Sequence, residues 1–417
     1  MQKDFLMKSF VMSEGERYCL LVDKHSGIPL YYPNLYLITQ IRNRSLSYSS
    51  MESSLGGISV LLKFLTERGQ DLINRFSQYD FFEFNELDSI RDYCQIKFSA
   101  RTIAQDTNGV FTLEELQWDD EKVSSKTEYV RLTVISQYLK WLAELLTSQS
   151  SNKDVTLRIN KMIKGLESRR PIRVGRNSGS LDSSLDETQL LMLFEVFKPG
   201  SEENPFIDES VKVRNRLIFL MLYHLGLRGG ELLNIRISDI SFTQNLLAVK
   251  RRADEPEDTR KRQPCVKTRD RLLPLRETLV KEIHNYIMQH RKQVVRKGQP
   301  DYLFVTHKNG PTKGLPLSQS SYRKVIQVVS KVSPSLYKLT GHQLRHTWNQ
   351  KFSELMDSME TPVPEERQEE VRSYLMGWKS GSGTATTYNK RFIIRKGHEV
   401  ALELQQGSFR LPKDLNK

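Results

Sequence analysis

Residues 168–180, SRRPIRVGRNSGS, break the chain in two: they carry Arg169, Arg170, Arg173 and Arg176 with no acidic residue among them, and Pro171, Gly175 and Gly179 forbid a continuous helix. Long stretches of helical pattern lie on either side, so the break predicts a linker between separately folded units. The length of 417 residues agrees, because one hydrophobic core rarely organises a chain of that size. Taken alone, such a segment reads as a solvated basic linker. Between two units that both face a polyanion, the same arginines would lie along its phosphates.

The half before the break reads as mainly α. In MESSLGGISVLLKFLTERG, Leu55, Ile58, Leu61, Leu62 and Leu65 recur at three-and-four spacing, and TEYVRLTVISQYLKWLAELL carries Leu132, Ile135, Tyr138, Leu139, Leu142 and Leu145 as one apolar stripe. Residues 80–125 read as part helix, with a loop near Asp106–Gly109. Ahead of them, residues 18–38 predict two short strands around a turn at Ser26–Gly27, an N-terminal hairpin. After the break, SLDETQLLMLFEVF opens with a cap signal and an acidic first turn, and VRNRLIFLMLYHLGL predicts a buried helix stopping at Gly226. The runs at 246–249 and 271–275 predict strands of a small sheet flanking a long polar connection, and helices return over 317–331 and from His342 onward.

Charge narrows the partners. The chain has 63 Lys and Arg against 50 Asp and Glu, a net +13, which favours a polyanion over an acidic protein. Cys19, Cys94 and Cys265 are far apart and show no metal-ligand or disulfide spacing, so no metal site is expected and the compartment reads as reducing. No window approaches a membrane span, and the N-terminus lacks a leader pattern, so the expectation is a soluble cytoplasmic protein without membrane contact.

Three short motifs carry the chemistry. In LGLRGGELLNI, Arg228 follows the glycine that ends the predicted helix, where its guanidinium can project into a cleft with Glu231 three residues on to hold it. In HQLRHTW, His342 and Arg345 share a helix face, with His346 beside them. Two basic groups on one face suit a phosphate whose non-bridging oxygens gain charge in a pentavalent transition state. Finally, LMGWKSGSGTATTYNKR places Trp378 ten residues before Tyr388 across a Ser/Gly/Thr-rich stretch. A phenol titrating near 10 needs neighbouring cations before it becomes a nucleophile, and Arg228 and Arg345 can supply them.

In that order, Arg228, Lys267, His342, Arg345, Trp378 and Tyr388 resemble the tyrosine recombinases, the family of lambda-type integrases, Xer proteins and Cre. The likeness is specific over about residues 185–395 and looser over 45–150. It implies a mainly α fold with a small antiparallel sheet in the catalytic domain, arranged as a two-domain clamp on double-stranded DNA. The implied organisation is a hairpin extension over 1–45, a helical core-binding domain of SAM-like type over 46–165, a linker over 166–182, a catalytic domain over 183–395 and a tail over 396–417. It also implies that the two arginines hold the scissile phosphate, His342 assists the proton transfer from Tyr388, and an indole at Trp378 donates to a phosphate oxygen. Lys267, in VKTRDRLLPL ahead of an R-x-x-P-L strand, would protonate the leaving oxygen, with Lys250, Lys261 and Arg269 as nearby rivals. No cofactor is implied, since a phosphotyrosyl bond conserves the phosphodiester free energy. A homo-tetramer on paired sites is implied, with room for an accessory directionality factor. Two further readings stay open: a type IB topoisomerase or telomere resolvase, and a DNA-binding accessory protein without activity.

Overall fold

The computed structural model describes residues 5–44, 47–98, 122–148, 153–172, 184–266, 268–361, 363–379 and 402. The chain divides into two compact units, Met1–Met12 with Arg17–Gly179, and Ser13–Glu16 with Ser180–Lys417. The fold is mainly α, with two small antiparallel sheets among the described residues.

In the first unit, β1 (Phe5–Val11) pairs antiparallel with β2 (Arg17–Asp23), from Phe5 opposite Asp23 to Val11 opposite Arg17. A hairpin is therefore present, but its strands differ from the sequence expectation. The turn at Ser26–Gly27 forms, with Gly27 at φ +71° and a single bridge from Val22 to Pro29. Beyond it the chain turns helical in α1 (Tyr31–Tyr36) and one π-helical stretch, Leu37–Arg42. Pro33 lies in the first turn of α1, where its missing N–H has no helical partner to lose, and Tyr36, Leu37 and Ile41 bury one helical face. The free edge of β2 is finished by an amide instead of a strand: Leu21 N–H donates to Asn34 Oδ1 at 2.9 Å, and Asn34 Nδ2 donates to Leu21 O at 2.8 Å.

The helices α2 (Tyr48–Glu67), α3 (Leu72–Ser77), α4 (Phe84–Gln95), α5 (Ser125–Leu146) and α6 (Lys153–Ser168) complete this unit. Its core is almost wholly apolar and includes Leu55, Ile58, Leu61, Leu65, Leu132, Ile135, Tyr138, Leu139 and Leu142. Leu62 packs at the edge of that core. Leu145 departs from the expected stripe and is 40 % exposed, while the next residue, Leu146, packs against the core in its place.

The second unit begins with α7 (Glu187–Val196), capped by Asp186 through a reciprocal box with Gln189. Next come the buried α8 (Glu209–Leu225), ended by Gly226 in the left-handed conformation at φ +59°, and the single turn α9 (Gly229–Leu232). Strands β3 (Ile240–Ser241), β4 (Leu246–Val249) and β5 (Arg271–Pro274) form one antiparallel sheet, with Ile240 opposite Leu247 and Leu247 opposite Leu273. The polar connection between β4 and β5 is irregular and held by side chains. Arg260, for example, donates to Leu233 O and Leu317 O at 3.0 Å each and pairs with Asp258 at 2.7 Å. Helices α10 (Glu277–Asn285), α11 (Gln319–Val329), α12 (Gly341–Asp357) and α13 (Glu365–Met376) complete the unit; α13 packs on β5 and ends at Gly377 with φ +65°. No helix among the described residues is long and apolar enough to cross a membrane.

Candidate active site

The site grows from two helix ends and one buried carboxylate. Because α8 stops at Gly226, the chain turns sharply and presents Arg228 at the start of α9. Glu231, one turn on, accepts the Arg228 backbone N–H at 3.1 Å and its Nη1 at 3.4 Å, while the Arg228 side chain stays 31 % exposed. The pair expected from sequence is present, with the carboxylate fully buried and the guanidinium facing outward.

Arg345 enters from the first turns of α12, and its side chain is 1 % exposed. Its Nη1 donates to Gly226 O at 2.7 Å and its Nη2 to Met376 O at 2.9 Å, the carbonyls at the C-terminal ends of α8 and α13. Helix C-termini carry partial negative charge, so two of them help to hold this desolvated cation. Glu231 Oε2 lies 3.8 Å from Arg345 Nη1. Arg228 and Arg345 thus converge on one carboxylate from elements more than a hundred residues apart in sequence.

His342 sits one turn before Arg345 and His346 one turn after His342, their rings edge to face at 4.5 Å. Burial, then Arg345 and Arg228, hold the His342 imidazole below its ordinary range. Burial, with His342 and Arg345, pushes His346 down to about 4. Both rings are therefore neutral near pH 7, the state in which an imidazole can accept a proton. Trp378 follows Gly377, is buried, and places its ring 5.5 Å from the Arg345 guanidinium. It packs with Met376 and Trp348, and the Trp348 indole donates to His224 O at 3.0 Å.

Glu231 has further partners that the motifs did not indicate. Thr268 Oγ1 donates to its Oε1 at 2.6 Å, and Arg271 Nη2 to its Oε2 at 2.8 Å. Burial alone would raise this carboxyl; the charges of Arg271 and Arg345 and the bonds from Arg271 and Thr268 outweigh it and hold the group below the usual range. The sequence signal for Arg271 was its place at the head of the R-x-x-P-L strand, but a strand position does not say which carboxylate a side chain reaches.

Arg228, Glu231, His342, Arg345, His346 and Trp378 are thus brought together. Lys267, Tyr388, Arg173 and Arg176 lie outside the described residues. Of the rivals to Lys267, Lys250 lies 3.4 Å from Asp239, and Lys261 and Arg269 are exposed. Arg169 donates to both Asp88 oxygens, to Gly165 O and to Phe84 O, and Arg170 pairs with Glu167 at 2.8 Å, all within the first unit.

Residues 184–391, which span this cluster, match the family model described as the phage integrase family. Among curated relatives, tyrosine recombinase XerA of Pyrococcus furiosus is 27 % identical over 216 residues, 50 % of this chain and 64 % of the relative. The match therefore spans less than two thirds of that relative's length. Transposase A from transposon Tn554 of Staphylococcus aureus is 28 % identical over 150 residues, 36 % of this chain and 38 % of the relative. A crystal structure of XerA recombinase aligns over 91 % of this chain and 99 % of its own at 15 % identity, with a TM-score of 0.35, and that likeness adds nothing to the assignment. The family-model match and the arginine and histidine cluster within it place the chain in the phage integrase family of tyrosine recombinases.

Proposed function

We propose that this protein is a site-specific DNA recombinase that cuts and rejoins strands through a 3′-phosphotyrosyl intermediate, for integration or excision of a mobile element. The observation that carries the proposal is the convergence of Arg228 and Arg345 on Glu231 with two neutral histidines beside them. That arrangement leaves cationic donors for a phosphate and a base for a hydroxyl in the same place. In the first step the Tyr388 oxygen bonds to phosphorus while the bond to the 5′ oxygen breaks; His342 takes the phenolic proton and Lys267 supplies one to the leaving oxygen. In the second step a 5′ hydroxyl of the partner duplex attacks the phosphotyrosyl bond, and the proton transfers reverse. Arg228 and Arg345 balance the charge on the non-bridging oxygens throughout, and Trp378 donates its indole N–H to one of them.

Residues 183–395 act as the catalytic domain and 46–165 as the core-binding domain, with the linker over 166–182 contacting the DNA backbone through Arg170, Arg173 and Arg176. Arg169, tied to Asp88, helps to orient that linker. The extension over 1–45 and the tail over 396–417 flank these domains. The working form is a cytoplasmic homo-tetramer on paired sites, and its direction can be set by an accessory factor. Incubating the protein with a library of nicked duplexes, from which the freed strand diffuses away, tests the chemistry. The expected result is a covalent adduct with the wild type and none with Tyr388→Phe, at equal DNA binding. Normal binding without any wild-type adduct overturns the proposal.

A further inference from the structure

Three guanidinium groups surround the Glu231 carboxylate, and the nearest is that of Arg271, which heads the R-x-x-P-L strand and has no role in the chemistry described so far. Arg271 Nη2 is 2.8 Å from Oε2, against 3.4 Å from Arg228 Nη1 to Oε1 and 3.8 Å from Arg345 Nη1 to Oε2. The Arg271 side chain is 1 % exposed, and each of its three nitrogens has a partner inside the protein. Its remaining donors go to two other segments: Nε to Leu375 O in α13 at 2.7 Å, and Nη1 to Thr268 Oγ1 at 3.3 Å. Thr268 in turn donates to Glu231 Oε1. Gly377 closes this junction, since a Cβ there would stand 2.8 Å from both Arg271 Nη1 and Thr268 Cβ.

A buried carboxylate needs a counter-charge, and it takes one from whichever cation is closest. Without Arg271, Glu231 would draw on Arg228 and Arg345, and the cationic charge facing the phosphate would fall from two to one. We infer that Arg271 is a positioning residue that neutralises Glu231, so that Arg228 and Arg345 present their full charge to the scissile phosphate. Lysine cannot substitute fully, because only a planar guanidinium reaches Glu231, Thr268 Oγ1 and Leu375 O at once.

The inference rests on the strand-exchange reading, and its test separates the two. On a nicked duplex that wild type cleaves, Arg271→Met should form adduct more slowly by about a hundredfold, as when one transition-state donor is lost. The double variant Arg271→Met/Glu231→Gln removes the unbalanced carboxylate and should recover most of that rate. Replacing the scissile phosphate by a methylphosphonate, which removes one negative charge, should shrink the Arg271→Met defect to under tenfold. A purely packing role predicts equal losses on both substrates and no recovery in the double variant, and that result overturns the inference while leaving strand exchange intact. If Arg271→Met fails to fold by circular dichroism, Arg271→Lys is read instead. It keeps the charge and should retain adduct formation within about tenfold of wild type, and a larger loss relieved by neither change overturns the inference. Absence of any wild-type adduct overturns the parent reading, and this inference with it.

Discussion

The two units differ in how much charge they bury. The first is built mainly from helices, and its core is apolar, with Arg17 and Glu128 the charged residues buried among those described. The second buries Arg214, Arg260, Arg271, Arg291, Arg345 and Arg372 below 9 % exposure. Five of these donate to carbonyls of irregular or terminal backbone: Arg214 to Val305 O, Arg260 to Leu233 O and Leu317 O, Arg271 to Leu375 O, Arg291 to Tyr302 O, and Arg345 to Gly226 O and Met376 O. A segment without a ladder leaves acceptors that must find donors, and a guanidinium offers five. The lesson is that the irregular backbone around a site and the cations inside it belong to one economy of hydrogen bonds.

Three measurements press on that contrast. The largest effect is expected at Arg260, where Arg260→Leu strands the Asp258 carboxylate and two carbonyls and should cost roughly 3–5 kcal/mol in urea unfolding of the second unit's transition. Adding Asp258→Leu should return a good part of that loss; if it does not, the pair is more than an internal counter-charge. In the first unit Leu139→Ala opens a cavity in an apolar core and should cost about 3 kcal/mol, with no second substitution able to compensate through charge. The smallest effect concerns pH. Burial, then the charge of Arg214, pushes His307 down to about 4, so the unfolded chain binds this proton more readily than the folded one. Stability from this group is complete above about pH 6.5 and declines as pH falls toward about 4, reaching a loss on the order of 2 kcal/mol at pH 5. His307→Gln should flatten that slope, and an unchanged slope would place the acid sensitivity elsewhere.

Much of this was legible in the chain because it was local. The stop at Gly226, the cap at Asp186, the strands at 246–249 and 271–274 and the shared face of His342 and Arg345 each follow from spacing within about one turn or one hairpin. The hairpin strands were misplaced because the apolar run from Tyr31 also fits a helix, and Pro33 marks a helix start as well as a strand end. Arg271 and Arg260 were not legible as junctions. Their partners lie 40 and 104 residues away in the first case and 27 and 57 in the second, and no periodicity carries information over such separations.

Gly226 and Gly377 end two helices, and the carbonyls of Gly226 and of Met376 just before Gly377 grip the same guanidinium. Ending those helices and seating Arg345 are consequently one structural arrangement and not two. A chain in which either helix overruns its stop would lose one of the two carbonyls that seat that side chain.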